Sequence, residues 1–219
     1  MNNIQIVSNL SITEAQLQCS EANGKKVNAF FRQGDLDNAC AIYSLMMLLL
    51  ISSKVKRSEL EGTSKGKGFT GVRRLQHEFL YERKDVFKEG YYFDKLSADL
   101  KRAFSKYTET ESYCIDENTA NEDLHSKILK ELEEDRPVEI GFSRKGRNSG
   151  GHAVLAVGYQ MLPNKIRLFC LDPAYEMPKC SYWNNIIDLS TDYRSKATYL
   201  DYNHVEDQLV NVDQILTVR

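Results

Sequence analysis

Three separated segments carry residues that could together break an amide bond. The first, Gln33-Gly34-Asp35-Leu36-Asp37-Asn38-Ala39-Cys40, runs straight into the apolar stretch Ala41 to Ile51 and sets a thiol at the opening of a helix that belongs in a core. The second, Gly150-Gly151-His152-Ala153-Val154-Leu155-Ala156-Val157-Gly158-Tyr159, is a strand-like run led by an imidazole. The third, Arg167-Leu168-Phe169-Cys170-Leu171-Asp172-Pro173, ends in a carboxylate. Attack on an amide carbon needs a nucleophile, a proton carrier for the leaving amine, a group that orients the carrier, and donors for the oxyanion. A thiol at a helix start beside an imidazolium gains thiolate character, which suits Cys40 as nucleophile. His152 would carry the proton, and Asp172 would hold its tautomer and orientation. The Gln33 side-chain amide and the Cys40 backbone N–H would receive the oxyanion. Gly34, Gly150 and Gly151 leave room for a substrate backbone to approach closely.

Short strands at Ile4 to Val7 and Lys26 to Phe31 flank a polar stretch and deliver the chain to Gln33. Asp37 or Asn38 then falls where a helix N-cap belongs, putting Cys40 in the first turn. After that helix, Ser58 to Gly71 is rich in glycine and polar residues and reads as a surface loop, with a lid over the site as the sharper alternative. Helical patterns follow over Val72 to Asp85, Phe93 to Tyr107 and Asn121 to Asp135. In the second, Phe93, Leu96, Leu100, Ala103, Phe104 and Tyr107 share one face; in the third, Leu124, Ile128, Leu129 and Leu132 do, and the acidic run Glu131 to Asp135 reads as a solvated end that Pro137 stops. Strands are expected at Val138 to Phe142, His152 to Tyr159, Ile166 to Asp172 and Val210 to Val218. Helices followed by strands predict an α+β domain with helices packed on an antiparallel sheet.

The chain has 219 residues, enough for one well-filled core, and one domain over 1–219 is expected, with a helical half at about 33–136 and a strand-rich half at about 137–219. A formal net charge of -2 gives no excess of basic groups to grip nucleic acid or an anionic membrane, so a peptide or protein substrate is the expected partner. The longest apolar run, Ala39 to Ile51, falls short of the roughly 20 residues of a spanning helix, and no membrane insertion is expected. Met1 to Val7 lacks the basic and apolar regions of a secretory signal. Five scattered cysteines, Cys19, Cys40, Cys114, Cys170 and Cys180, form neither a disulfide framework nor the close pairs of a metal site. Reduced thiols in a cytoplasm, with no metal and no cofactor, are the expectation.

On Gln33-Gly34, on Cys40 opening a helix and on His152-Ala153-Val154 through Gly158-Tyr159, the chain resembles the papain-like cysteine peptidases of clan CA. Leu171-Asp172-Pro173, with Pro137 to Phe142 upstream, is closer to the bacterial branch that trims double-glycine leader peptides. The resemblance covers about a quarter of the chain. It implies a papain-like fold, with a central nucleophile helix and helical half packed on a C-terminal antiparallel β-sheet, and the roles already given to Cys40, His152, Asp172 and Gln33. Two departures stand out. Gln33 lies seven residues before Cys40, one more than in papain, which leaves Asp35, Asp37 and Asn38 as alternatives in its place. Ala41 follows the nucleophile, where papain has Trp and the leader peptidases usually Gly.

Each feature also has a plainer explanation. A lone cysteine in an apolar helix is usually core, and Cys170 reads so within its strand. His77, His125 and His204 read as surface or satisfied residues. The basic loop Ser143 to Gly151 is either a solvated hairpin tip or a rim that favours acidic substrates. Tyr175, Tyr182 and Trp183 line a cleft or cap the core. Three functions compete: a cysteine peptidase or isopeptidase working through a thioester, a transglutaminase-like acyltransferase or glutamine deamidase using the same triad, and a catalytically silent binding module.

Overall fold

A computed structural model describes residues 3–34, 39–61, 71–77, 92–104, 109–114, 121–144, 151–192, 197–201 and 208–219. Its first elements are all strands: β1 (Gln5–Ile6), β2 (Leu10–Thr13), β3 (Gln16–Ser20) and β4 (Lys26–Asn28). The polar stretch between the two expected strands holds β2 and β3, which join β4, part of the strand expected from Lys26, in a three-stranded antiparallel sheet, β2-β3-β4. Its first hairpin turns on Glu14 and Ala15, both at positive φ (51° and 64°), the backbone of the tight turn that matches strand twist. Neither residue is the Asn or Gly that usually announces such a turn.

α1 (Cys40–Ile51) is apolar almost all round, and ten of its twelve residues are buried. It lies against the strands that carry the other candidate residues, and Ser44 Oγ donates to the Ala153 carbonyl at 3.2 Å. The N-cap position is Ala39, whose own side chain has no acceptor to offer; Asp37 and Asn38, the expected caps, lie outside the described residues. α2 (Arg57–Glu61), α3 (Gly71–His77), α4 (Phe93–Phe104) and α5 (Asn121–Glu133) follow, with β5 (Thr110–Cys114) between the last two. The apolar faces foreseen for α4 and α5 are buried through Phe93, Leu96, Leu100, Phe104, Leu124, Ile128 and Leu132. The acidic end of α5 is only partly solvated. Glu131 is buried, accepts from Arg136 and Arg219, and is held below the usual carboxylate range by them against the upward push of burial.

The remaining strands are β6 (Val138–Arg144), β7 (Gly151–Leu162), β8 (Lys165–Leu171), β9 (Asn185–Ser190), β10 (Ala197–Asp201) and β11 (Gln208–Val218). Here the fold departs from the papain-like α+β expectation, a helical half packed on one C-terminal sheet. More of the described residues are in strands than in helices. The sheet runs β7-β6-β11-β10-β9-β8 and returns to β7 through β7–β8 pairing, closing a six-stranded antiparallel barrel. The physical reason lies in β9 and β10, which the sequence reading left unassigned. They bury Ile187, Leu189, Ala197 and Tyr199 and supply the two walls an open sheet would lack. A closed barrel has no free edge among its six strands.

β1 extends the wall on β7 beyond the end of β6, pairing Gln5 with Tyr159 and Ile6 with Gly158. A Cβ at Gly158 would stand 2.3 Å from the Gln5 carbonyl oxygen and 2.5 Å from Ile6 Cδ1, so the close approach of β1 needs glycine. Gly158→Ala is expected to detach β1 and to destabilise the protein by about 1–3 kcal/mol. A lower urea midpoint, with faster hydrogen exchange at Val7 (whose N–H donates to the Val157 carbonyl at 2.9 Å), is the check.

Candidate active site

Cys40, His152 and Asp172 come from three elements that meet at one end of the barrel. Cys40 is the first residue of α1 and 9% exposed. His152 is the second residue of β7, on the strand face that also carries Val154. β7 pairs Leu155 with Leu171, so Asp172, the next residue after β8, emerges beside Val154 on that face. His152 Nε2 lies 2.9 Å from both Asp172 carboxylate oxygens. That leaves Nδ1 free of Asp172, and Cys40 lies near enough to act on the imidazole electrostatically. Burial alone would push the His152 pKa down; the charge and hydrogen bond of Asp172, joined by Cys40, overcome it and raise the pKa to about 10. Asp172 moves the opposite way. Although burial favours its neutral form, His152, the Tyr199 hydroxyl and the Ala174 N–H hold it below the usual carboxylate range.

Asp172 is fully buried, and protein donors replace its water. Besides His152, the Tyr199 hydroxyl and Asn185 Nδ2 (3.3 Å) donate to Oδ2, and the Ala174 N–H donates to Oδ1 at 2.9 Å. Asn184 fixes the main chain at this point: its Oδ1 accepts from the Asp172 N–H at 2.7 Å and its Nδ2 donates to the Asp172 carbonyl at 2.8 Å. Phe142 closes the group with its ring edge-on to His152 (centroids 5.4 Å apart) and tilted against Tyr199 (4.9 Å). Sequence reasoning missed Tyr199, Asn184 and Asn185. Two adjacent asparagines opening an apolar strand were a usable signal, because buried amides need partners. Nothing around Tyr199 in sequence marks it.

Gln33 reaches the same end of the barrel through its main chain, its N–H donating to the Pro173 carbonyl at 2.9 Å. One residue earlier, Arg32 Nη1 meets Glu176 Oε1 at 3.0 Å, so the segment before the nucleophile is pinned at two points to the turn after Asp172. Residues 35–38, which connect Gln33 and Gly34 to Cys40, lie outside the described residues and take Asp35 with them. Gly34 is exposed. Gly150 and most of the basic loop are likewise outside. Gly151 opens β7, exposed, and a Cβ there would meet nothing nearer than the Phe142 carbonyl oxygen at 4.0 Å.

The other singled-out residues separate cleanly. Cys170 is buried in β8 and its thiol is pushed up, first by burial and then by the Asp172 charge. Cys19 is buried with its pKa raised to about 11, chiefly by desolvation, while Cys114 and Cys180 are exposed. His125 is not a surface residue: α5 buries it, and desolvation lowers its pKa to about 4. Trp183 packs on Phe169 with ring centroids 4.2 Å apart, and Tyr182 packs against the core, which favours the core-capping reading for this pair. Arrangements of this kind, a thiol at a helix start near an imidazole that a buried carboxylate holds, support nucleophilic acyl chemistry.

A family model described as the Peptidase_C39 like family matches residues 25–206, a span that includes Gln33, Cys40, His152, Asp172 and Tyr199. No curated protein matches the chain.

Proposed function

Since the chain belongs to the Peptidase_C39 like family, a cysteine-peptidase-like family, we propose that it cleaves a peptide or protein amide bond through a Cys40 thioester. In this reading Cys40 Sγ, as the thiolate, adds to the amide carbon. The oxyanion is received by the Cys40 backbone N–H at the start of α1 and by the Gln33 side-chain amide. The imidazolium of His152 then gives its proton to the amine nitrogen as the C–N bond breaks, leaving a thioester on Cys40 and a neutral imidazole. Water, deprotonated by that imidazole, attacks the thioester; the C–S bond breaks, the acid is released and the thiolate–imidazolium pair returns. Asp172 stays ionised throughout and fixes the ring. Peptides with a double-glycine leader are the substrate class we favour, on the likeness of Leu171-Asp172-Pro173 and Pro137 to Phe142 to that branch.

One observation carries the proposal: a fully buried carboxylate grips His152 Nε2 with both oxygens at 2.9 Å while Cys40, at the start of α1, acts electrostatically on the same ring. The test is alkylation by iodoacetamide from about pH 4 to about pH 9, followed cysteine by cysteine through peptide mass mapping, with His152→Ala alongside. Cys40 alone is expected to react fast well below neutrality, and His152→Ala to abolish that advantage. Slow reaction at Cys40, with the profile of an ordinary thiol, refutes an active thiol hydrolase.

A further inference from the structure

We propose that Tyr199 is a positioning residue that tunes the acidity of the His152 imidazolium through the carboxylate oxygen the two share. The inference rests on the triad proposed above and adds a member to it from a strand that no motif marks. Tyr199 sits on β10, 1% exposed, and its hydroxyl donates to Asp172 Oδ2, the oxygen that His152 Nε2 also approaches at 2.9 Å. An ionised carboxylate offers about four acceptor sites. His152, Tyr199, Asn185 and the Ala174 N–H occupy Asp172 from four directions, with no exposure to water.

Charge that Asp172 commits to the Tyr199 hydroxyl is withdrawn from the imidazolium. The withdrawal matters at one step. When the C–N bond breaks, the Nδ1 proton must pass to the departing amine nitrogen, and a ring gripped by an undivided carboxylate would hold that proton too tightly. A donor on Oδ2 weakens the grip without moving the carboxylate, because the Ala174 N–H and Asn185 still hold it. Among the described residues, the titratable groups that act on this pair are Cys40 from α1, Cys170 from β8 and Tyr199 itself. β6 presents the Phe142 ring to His152 and carries the buried Glu139, which is coupled to Cys40, while β9 presents the neutral Asn185 to Asp172.

The full chain labelled with ¹⁵N-histidine, followed by NMR across pH, reads the His152 midpoint directly, with its signals identified by their loss in His152→Ala. Tyr199→Phe keeps the ring that packs on Phe142 and removes one hydroxyl. The midpoint is expected to rise by about half a unit to one unit. Asn185→Ala, which removes the longer hydrogen bond to the same oxygen, is expected to shift it the same way by less, and serves if the tyrosine variant does not fold. A midpoint that stays or falls in both variants overturns the proposal and leaves Tyr199 as a space-filling ring. Cys40→Ser separates this failure from that of the triad: it must lower the His152 midpoint, and if it does not, the thiol and imidazole are uncoupled and both readings fall.

Discussion

Asp172→Asn is expected to bring the His152 midpoint down from about 10 to below the ordinary histidine value and to slow Cys40 alkylation near pH 6 by on the order of a hundredfold. Two opposing effects act on one buried ring. Burial disfavours the imidazolium, and the Asp172 charge more than repays it. An asparagine keeps the shape and accepts from the Tyr199 hydroxyl but carries no charge, so burial wins and the ring turns neutral. A neutral ring no longer places a positive charge beside the Cys40 sulfur. The same substitution changes the pH dependence of stability. A histidine whose folded pKa lies above its unfolded value contributes fully below about pH 6.5, and the contribution disappears as pH rises through about 10. The unaltered protein should therefore lose stability over that window, by on the order of 3–5 kcal/mol for a buried pair, and the variant should not. Urea unfolding of both at about pH 7 and about pH 10 gives the comparison; parallel curves would refute the coupling.

On the acid side the largest effect is expected from His125. Its folded pKa of about 4 lies below the unfolded value, so unfolded chains bind the proton first and stability falls as pH drops from about 6.5 to about 4. The difference corresponds to about 3 kcal/mol. His125 is a buried residue on α5, among Leu124 and Ile128, where an apolar side chain serves as well. His125→Leu is expected to flatten this part of the stability curve. Acid loss through Glu131 and Asp188, both held low chiefly by hydrogen bonds from arginines against burial, remains in the variant at lower pH. Urea midpoints at about pH 7 and about pH 4.5 isolate the histidine by subtraction, and an unchanged difference between the two proteins would contradict its burial as a neutral ring.

The candidate site was legible where function forces local signals. A cysteine before an apolar run, a histidine leading a strand and an aspartate closing one are readable because each sits at an element boundary, and boundaries leave marks in sequence. The helical faces of α4 and α5 were readable for the same reason, through spacings of three and four. Closure of the barrel was not. Alternation tells which face of a strand is buried but not which neighbours it pairs with, and β7 pairing with both β6 and β8 is a non-local fact. β9 and β10 were overlooked because polar residues, Asn185, Asp188 and Ser190 in one and Thr198 and Asp201 in the other, interrupt their apolar content. Two of those interruptions have partners: Asn185 holds Asp172, and Asp188 takes Lys165 and Arg167. Residues that looked like loop chemistry were the polar contacts of the site and its wall. The N-cap of α1 failed for a different reason, since local capping preference does not reveal that Ala39 occupies the position.

β11, the last strand in the chain, does not finish the barrel at an edge. It is inserted between β6 and β10, and it also carries β5 on its outer half. Ribosomal synthesis therefore delivers Cys40 before His152 and Asp172, and all three before the strand that locks the wall. Until β11 is in place, β10 has β9 alone as its neighbour, and the barrel that buries the Tyr199 hydroxyl and its carboxylate stays open. A thiol made reactive at birth would meet every other nascent segment in reach. In this topology the wall around Cys40, His152 and Asp172 closes only once β11 has been added, so the order of synthesis sets when the proposed chemistry could begin.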